Sequence, residues 1–503
     1  MNSKRKVLEN SFLYTFSTLL VKAIGFLLLP IYTLFLTPED YGTINLINSF
    51  NGVASFIVAF SLYSAITRFS ADYKNEREKL SRFYGTIFLF VCFSGIVFIS
   101  LAIIFKNILI SLFFEGISFY PILLISFLLL FFVTIQTLHQ SMLGALQQGR
   151  KLTLVNLIFF GLQVVLILFF MIVLKQQVVG VLIATLIINV SYFIYMLIDL
   201  KKNKLIILCM DLKLLKEAMK YSIPLMPHNL STSIANLASR VFINNSGTLA
   251  LVGLYSVASQ FSMLIDTVQT SVNKAFQPWF FEMLNKSNEK GQKELVKLSN
   301  FLLLLYSLVY MGIGLFSQDV IILMLTEKFS MAWTVIPILV IGYSVKSIYY
   351  FYVNILFYYK SAAKKIFIAT IIGSLADIIL ASLLVPKYGM YGAAVSFLVA
   401  KIIVVSIVVY MSKKYADIGY RVSRMLKIIV PSLLFMGLGL YFSYTRYITT
   451  FSYINLFYKL GILLAYIAFI YVTNKKLIDK IIMSGKLQHV LRRQSRSQKR
   501  EKA

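Results

Sequence analysis

The sequence predicts an all-α membrane protein with about fourteen transmembrane helices, and three observations carry that prediction. First, 59% of the residues are hydrophobic and 14% are charged, whereas soluble domains are roughly 45–50% apolar and 25% charged. Second, apolar runs of about twenty residues recur from end to end, each long enough to cross roughly 30 Å of hydrocarbon. Third, lysine and arginine concentrate in the short segments between alternate runs.

Each apolar run is interpreted as one helix that crosses the membrane. No segment between the runs is long enough to form a soluble domain. The predicted spans, numbered 1 to 14 in chain order, are 10–35, 43–67, 83–105, 119–145, 153–174, 177–199, 221–244, 251–273, 298–318, 332–358, 366–386, 390–411, 425–445 and 454–474.

The loops alternate sharply in positive charge. On one side, 39 lysine and arginine residues lie in the two terminal segments and in every second loop. The other side has only Lys106, Lys175, Lys328, Lys387 and Arg446. Because cytoplasmic loops carry the excess of lysine and arginine, we expect both termini in the cytoplasm. The net charge of +29 is thereby explained without a nucleic-acid partner.

Two pairs of glycine-containing turns indicate an internal repeat. Gly42 and Gly253 are 211 residues apart, and Gly180 and Gly392 are 212 residues apart. Six spans per repeat give two halves of the same orientation, related by an axis along the membrane normal. The alternative, that such turns recur in any protein of this kind, stays open. The predicted organisation is a six-helix lobe at 1–199, a second at 200–411, two additional helices at 412–474 and a basic cytoplasmic tail at 475–503.

Polar residues recur at helical spacing in spans 1, 2, 7 and 8, the first two spans of each predicted half. Such stripes indicate a protein-lined cavity, because lipid-facing helix surface is apolar. A packing role for single serines and threonines stays open, since they also bond their own backbone. The stripes are Ser11, Thr15, Thr18, Lys22 and Gly25; Asn45, Asn48, Gly52 and Ser55; Asn229, Ser233, Asn236 and Arg240; and Ser256, Ser259, Met263, Asp266, Thr270 and Asn273.

Charged residues within the spans have two interpretations. A charge at mid-membrane costs at least ~2.5–3.5 kcal/mol, so it is paired or it binds something. In the first interpretation, Asp377 pairs with Lys346 or Lys401, and Asp266 pairs with Lys22 or Arg240. In the second, the cations line a cavity for an anion such as a diphosphate, since pairing leaves at least two of them over. The candidate substrate-binding residues are Lys22, Arg240, Lys346, Lys401, Asn48 and Asn236, and the candidates for ion coupling or charge pairing are Asp266 and Asp377.

The sequence contains no motif for catalysis. A phosphate-binding Walker loop, a nucleophile–base pair, a zinc-ligand cluster and an aspartate-rich glycosyltransferase motif are all missing. Cys92 and Cys209 give neither a disulfide framework nor metal-ligand spacing. We therefore expect no catalytic residues, metal or cofactor. A membrane-embedded sugar polymerase or ligase would need large outer loops, and the longest here have about 13 residues.

Short motifs follow one another through spans 1 to 12. They are Asn10…Pro30-Ile-Tyr…Leu36-Thr-Pro-Glu-Asp-Tyr-Gly42, Pro224-Leu-Met-Pro227, Ser239-Arg240-Val-Phe-Ile, Gly253-Leu-Tyr-Ser256-Val-Ala-Ser, Ala275-Phe-Gln-Pro278 and Tyr388-Gly-Met-Tyr-Gly392-Ala-Ala. In this order the chain resembles the polysaccharide-biosynthesis oligosaccharide flippases, of O-antigen and capsule type, in the multidrug/oligosaccharidyl-lipid/polysaccharide exporter superfamily. Many relatives have an acidic residue where this chain has Ser239, a difference that leaves Arg240 freer to bind substrate.

The resemblance implies two six-helix lobes around a cation-lined cavity in the bacterial cytoplasmic membrane. It implies a flippase, not an enzyme, that moves an oligosaccharide on polyprenyl diphosphate from the inner to the outer leaflet by alternating access. The expected partners are this substrate, membrane lipids, and the glycosyltransferases and polymerase of the same pathway. Two alternatives stay open. One is a lipid II flippase, for which the same argument from the positive charge of the cavity holds. The other is a cation-coupled multidrug exporter, whose cavity should be acidic or apolar.

Overall fold

The computed structural model describes residues 25–26, 28–285 and 289–501. The regular elements in these residues are helices, joined by short turns. The α-helices are α1 Leu29–Phe35, α2 Pro38–Val58, α3 Leu62–Asp72, α4 Arg77–Ile104, α5 Lys106–Phe113, α6 Leu124–Ala145, α7 Gly149–Leu168, α8 Val178–Lys202, α9 Leu212–Ser222, α10 Met226–Ser246, α11 Leu249–Asn285, α12 Glu289–Met324, α13 Ile336–Tyr358, α14 Lys360–Ala363, α15 Ile366–Lys413, α16 Val422–Gly439, α17 Tyr441–Thr445 and α18 Tyr453–Glu501.

The predicted fold class, an all-α membrane protein, is confirmed. Ten helical segments among the described residues are long and apolar enough to cross a membrane, and the pair α2 and α3, bent by 47°, makes an eleventh. Three predicted spans account for the difference from fourteen. Span 1 lies mostly outside the described residues. The helix α10, which corresponds to span 7, is too polar to be counted as a membrane span by its composition. The helix α15 contains both span 11 and span 12, so the two are counted once. The number fourteen stays a prediction.

The helix α15 reverses direction at Gly389. This residue has φ 53° and ψ −132°, a backbone conformation that residues other than glycine rarely adopt. A Cβ atom built on Gly392 would lie 2.5 Å from the carbonyl oxygen of Leu384. Eight residues of continuous helix would separate these positions by about 12 Å. The chain therefore turns back here, where the boundary between spans 11 and 12 is predicted.

The segment from Leu36 to Gly42, predicted as a turn, contains the C-cap Leu36 of α1, the N-cap Thr37 and the beginning of α2 at Pro38. Thr37 caps the helix: its side chain accepts a hydrogen bond from the backbone N–H of Asp40, whose carboxylate accepts one from the backbone N–H of Thr37. Pro38 occupies the first turn, where a missing N–H costs nothing. The predicted start of span 2 at residue 43 is therefore late, because this polar sequence is a helix cap.

The glycines of the first predicted repeat pair, Gly42 and Gly253, lie where α2 and α11 touch. A Cβ on Gly42 would lie 1.9 Å from the carbonyl oxygen of Leu249, and a Cβ on Gly253 would lie 2.1 Å from that of Pro38. Each glycine therefore lets one helix approach the backbone of the other more closely than any side chain would permit.

The segment 200–220, predicted as a loop, is a strap followed by a helix. Residues beyond α8 run along the start of α4, where the backbone N–H of Ile207 donates to the carbonyl of Ser81 at 3.0 Å. The hydroxyl of Ser81 also donates to the carbonyl of Lys204 at 3.0 Å. The amphipathic α9 then buries Leu214, Leu215 and Ala218. The strap and α9 are thereby held against the first half of the chain.

By its internal contacts the chain divides into two compact units. Unit 1 comprises Met1–Val257 and Thr370–Ser396, and unit 2 comprises Ala258–Ala369 and Phe397–Ala503. The helices α11 and α15 contribute residues to both. Because this division rests on contact density and not on internal symmetry, the predicted lobes 1–199 and 200–411 stay a prediction.

Candidate functional site

In unit 1, Arg240 is held at the side of α10. Its Nε donates to the hydroxyl of Ser256 at 3.3 Å, and its Nη1 donates to the carbonyl of Asn236 at 3.0 Å. The guanidinium also lies 6.0 Å from the ring centre of Tyr255. Ser239 is buried and bonds the carbonyl of Ala235 in its own helix. Arg240 is therefore positioned by neighbours, rather than left free by the serine before it.

The other candidates of unit 1 lie at different depths. Asn236 and Asn48 have exposed side chains on α10 and α2, whereas Asp377, on α15, is 7% exposed. Lys22 lies outside the described residues. Arg240 and Asn236, one turn apart on α10, are the candidate substrate-binding residues that this unit brings together.

In unit 2, Lys346 and Asp266 form an ion pair between α13 and α11. Lys346 Nζ lies 2.7 Å from Asp266 Oδ1, and the hydroxyl of Tyr350 donates to the same oxygen at 2.8 Å. The sequence offered Lys22 or Arg240 as partners of Asp266, and Asp377 as the partner of Lys346. Neither pairing is the observed one, because sequence spacing does not say which helix faces which.

The ion pair belongs to a row of polar contacts between the same two helices. The hydroxyls of Thr270 and Tyr350 lie 2.9 Å apart, and Asn354 donates to the side-chain oxygen of Asn273 at 2.8 Å. Gln269 donates to the hydroxyl of Tyr310 on α12 at 3.1 Å. These contacts fix the rotation of α11 against α13 and hold the charged pair in place.

Lys401, the remaining candidate of unit 2, lies on α15. Its side chain is half-buried, and its Nζ lies 4.6 Å from the ring centre of Phe397, one turn earlier on the helix. A cation over an aromatic face is stabilised by the negative face of the ring. The lysine can therefore keep its charge among apolar helices.

Sequence reasoning left out a second charged pair in unit 2, between α18 and α12. Lys459 is 0% exposed, and its Nζ lies 2.6 Å from Asp319 Oδ2 and 2.7 Å from Gln318 Oε1. Asn455, one turn before Lys459, donates to the same Gln318 oxygen at 3.1 Å. The sequence does contain one indication of this pair. Lys459 lies near the start of span 14 and Asp319 directly after the end of span 9, and the predicted topology puts both at the outer side of the membrane. This network binds the last helix to the bundle and is sealed from solvent.

A third charged cluster joins α6, α7 and α8 in unit 1. His139 is fully buried, with Nδ1 3.0 Å from the hydroxyl of Tyr192 and Nε2 3.2 Å from Asp199 Oδ2. The other oxygen of Asp199 accepts from Lys151 and, at 2.9 Å, from Asn203. The sequence analysis did not identify it, because its members lie near span ends and resemble ordinary loop charges.

The fold and the charges within it define the class of protein. A bundle of membrane-spanning helices that carries ionisable side chains between helices is the arrangement of a membrane transporter. Residues 7–284 match the family model described as polysaccharide biosynthesis protein. The chain belongs to this family, so the resemblance found in the sequence motifs is confirmed.

Similar proteins agree with this assignment. The chain is 24% identical to Lsg locus protein 1 of Haemophilus influenzae over 372 residues, which cover 70% of this chain and 85% of that one. Its fold is similar to that of the lipid II flippase MurJ in an inward closed conformation, with a TM-score of 0.69, 19% identity and coverage of 93% of this chain and 100% of the other. The fold is also similar to that of a MATE family multidrug resistance transporter of the MOP superfamily in an inward-facing conformation. The TM-score is 0.63 and the identity 15%, with coverage of 81% of this chain and 95% of the other.

Proposed function

We propose that the protein is a flippase that moves a polyprenyl-diphosphate-linked oligosaccharide from the inner to the outer leaflet of the bacterial cytoplasmic membrane, for surface polysaccharide synthesis. The observation that carries the proposal is the polar face of α10. This 21-residue helix carries an exposed Asn236 and, one turn later, a half-buried Arg240 within a sequence that also contains Asn229, Ser231 and Ser233. Such a face is unfavourable against lipid and favourable against a charged, hydrated headgroup.

The balance of charge within the membrane helices supports an anionic substrate. Lys346 and Lys459 are matched by Asp266 and Asp319. Counted from the sequence alone, the candidate residues within the predicted spans comprise four cations, Lys22, Arg240, Lys346 and Lys401, and two carboxylates, Asp266 and Asp377, which gives this set a formal charge of +2. A diphosphate carries the complementary charge, and Arg240 can donate two parallel hydrogen bonds to its oxygens.

The proposed mechanism is alternating access between two six-helix lobes. The headgroup enters from the cytoplasmic leaflet, the lobes rock, and the sugar leaves on the outer side while the lipid tail stays in the bilayer. Export of an anion from a negative interior runs with the membrane potential, worth roughly 2.3 kcal/mol per charge per 100 mV. In this proposal both termini lie in the cytoplasm, as the charge of the loops predicts, and the partner enzymes are the glycosyltransferases and the polymerase of the same pathway.

The experiment is complementation of a deletion strain by variants. Lys22→Ala and Arg240→Ala should each abolish surface polysaccharide while the protein remains in the membrane at wild-type abundance. The control, Lys293→Ala, removes an exposed cation that pairs with Glu289 at the surface and should leave the polymer unchanged. Normal polymer from both cavity variants would contradict the proposal.

The same strains separate the alternatives. Rescue of a strain that lacks its lipid II flippase would favour the peptidoglycan precursor as substrate, which the structural similarity to MurJ keeps as a second candidate. Increased sensitivity of the deletion strain to cationic drugs, with normal surface polysaccharide, would favour a multidrug exporter.

A further inference from the structure

We propose that Asp266 is an internal competitor for the anionic headgroup: its carboxylate occupies Lys346 until a phosphate of the substrate displaces it. The proposal rests on the proposed function and assigns a step to it, namely release of a binding cation from its own carboxylate. Lys346 is then a substrate-binding residue whose availability is set by Asp266.

Accessibility distinguishes this pair from the buried ion pair of Lys459 and Asp319 in the same unit. The side chains of Lys346 and Asp266 are 24% and 25% exposed, whereas those of Lys459 and Asp319 are 0% and 6% exposed. An anion cannot approach the sealed pair without unfolding the helix contact. It can approach the open pair directly, so of these two pairs the one at Lys346 can exchange its anion.

The hydrogen bonds around Asp266 prepare it for losing the lysine. One oxygen, Oδ1, accepts from both Lys346 and Tyr350. The hydroxyl of Tyr350 is itself 2.9 Å from that of Thr270, on the same helix as Asp266. When Lys346 pairs with another anion, Tyr350 still donates to the carboxylate and holds it near Thr270 of α11.

Lys346 is likewise held in place without Asp266. Its ammonium lies 5.6 Å and 5.9 Å from the ring centres of Tyr350 and Tyr343. Aromatic faces attract a cation at such distances, so the ammonium stays at the same position after the carboxylate is displaced. Replacement of a carboxylate by a phosphate keeps the lysine paired, and a diphosphate adds negative charge and acceptor oxygens.

The test measures binding of farnesyl diphosphate to the full chain in lipid nanodiscs by titration calorimetry, with farnesyl monophosphate and farnesol as comparison probes. Asp266→Asn should tighten binding of the diphosphate about tenfold, a change of about 1.4 kcal/mol, because Lys346 is released. Lys346→Gln should weaken it, and the double variant should behave as Lys346→Gln does. The matched control is Asp72→Asn, which removes the same charge from an exposed pair with Arg68 and should leave the affinity unchanged.

A second variant keeps both charges. Tyr350→Phe removes the donor that stabilises the Asp266 carboxylate after Lys346 leaves it, so Asp266 should hold Lys346 more strongly and diphosphate binding should weaken by about threefold, the equivalent of one hydrogen bond. Unchanged or weaker diphosphate binding in Asp266→Asn, or unchanged or tighter binding in Tyr350→Phe, would overturn the proposal. Tighter binding in Asp266→Asn that persists when Lys346→Gln is added would overturn it too. The proposal would also be overturned if neither the wild type nor any variant binds farnesyl diphosphate more tightly than farnesol.

Binding and transport are separate measurements. If the protein moves no oligosaccharide lipid but Asp266→Asn still tightens diphosphate binding through Lys346, the proposed function fails and the competition stands. If transport is observed and Asp266→Asn leaves the affinity for the diphosphate unchanged, the proposed function stands and the competition between Asp266 and the substrate fails.

Discussion

Gly42 and Gly253 face each other at the crossing of α2 and α11, and each approaches the residue that precedes the other by four positions. Gly42 lies against Leu249, and Gly253 lies against Pro38. A reciprocal contact of this kind is what a two-fold axis between two equivalent elements produces. Gly42 and Gly253, and likewise Pro38 and Leu249, have the 211-residue offset found in the sequence, and the repeat of two six-helix lobes stays a prediction.

This crossing predicts the effect of adding one methyl group. Gly42→Ala or Gly253→Ala should lower stability by about 1–3 kcal/mol, because the new Cβ would overlap a carbonyl oxygen and push the helices apart. The control is Gly161→Ala on α7, where a Cβ would meet nothing within 4 Å. It should be neutral or slightly stabilising. The measurement is the thermal unfolding midpoint of purified protein in detergent; equal midpoints for all three variants would refute the close approach.

The sealed pair of Lys459 and Asp319 predicts a different pattern. Lys459→Met should cost about 3–5 kcal/mol, because it leaves a buried carboxylate without its cation. The double variant Lys459→Met/Asp319→Leu should recover most of that loss, since it buries no charge. The surface variant Lys293→Ala serves as the control and should not change the midpoint. A double variant as unstable as the single one would show that the pair is not the source of the stability.

The charge asymmetry of the loops predicts the orientation of the chain in the membrane. In a variant without the two native cysteines, single cysteines at Gln176 and Arg446 should react with a membrane-impermeant maleimide added to intact cells. Cysteines at Lys202 and Lys364 should react only after the membrane is permeabilised, because their loops carry the excess of lysine and arginine. The opposite labelling pattern would place the termini outside.

Much of the fold could be predicted from the sequence, because lipid imposes a simple rule on composition and length. Apolar runs located most helices, and the turn at Gly389 lies between two predicted spans. Polar segments were harder: the capped start of α2 and the strap before α9 were both predicted as loops. In each of them the structure depends on hydrogen bonds between particular residues, which hydropathy does not contain.

Less of the candidate site could be predicted. The sequence identified Lys346 and Asp266 as charges within the membrane but offered other partners for both. Helical spacing gives the depth and the face of a residue within its own helix, whereas pairing depends on which helices are neighbours and on their rotation. Lys459 was left out for a related reason: its helix lies outside the predicted repeat, and its partner Asp319 lies just beyond the predicted end of span 9.

Movement of an anionic, lipid-linked oligosaccharide across a bilayer, which we propose for this chain, can be measured directly. The most direct test reconstitutes purified protein into vesicles that contain polyprenyl-diphosphate oligosaccharide on one side and measures, with a membrane-impermeant glycosidase, how fast the sugar becomes accessible on the other. We expect translocation well above that of protein-free vesicles for the wild type and for Gly161→Ala, and background translocation for Arg240→Ala. Wild-type translocation at the protein-free rate, or undiminished translocation by Arg240→Ala, would contradict the proposal.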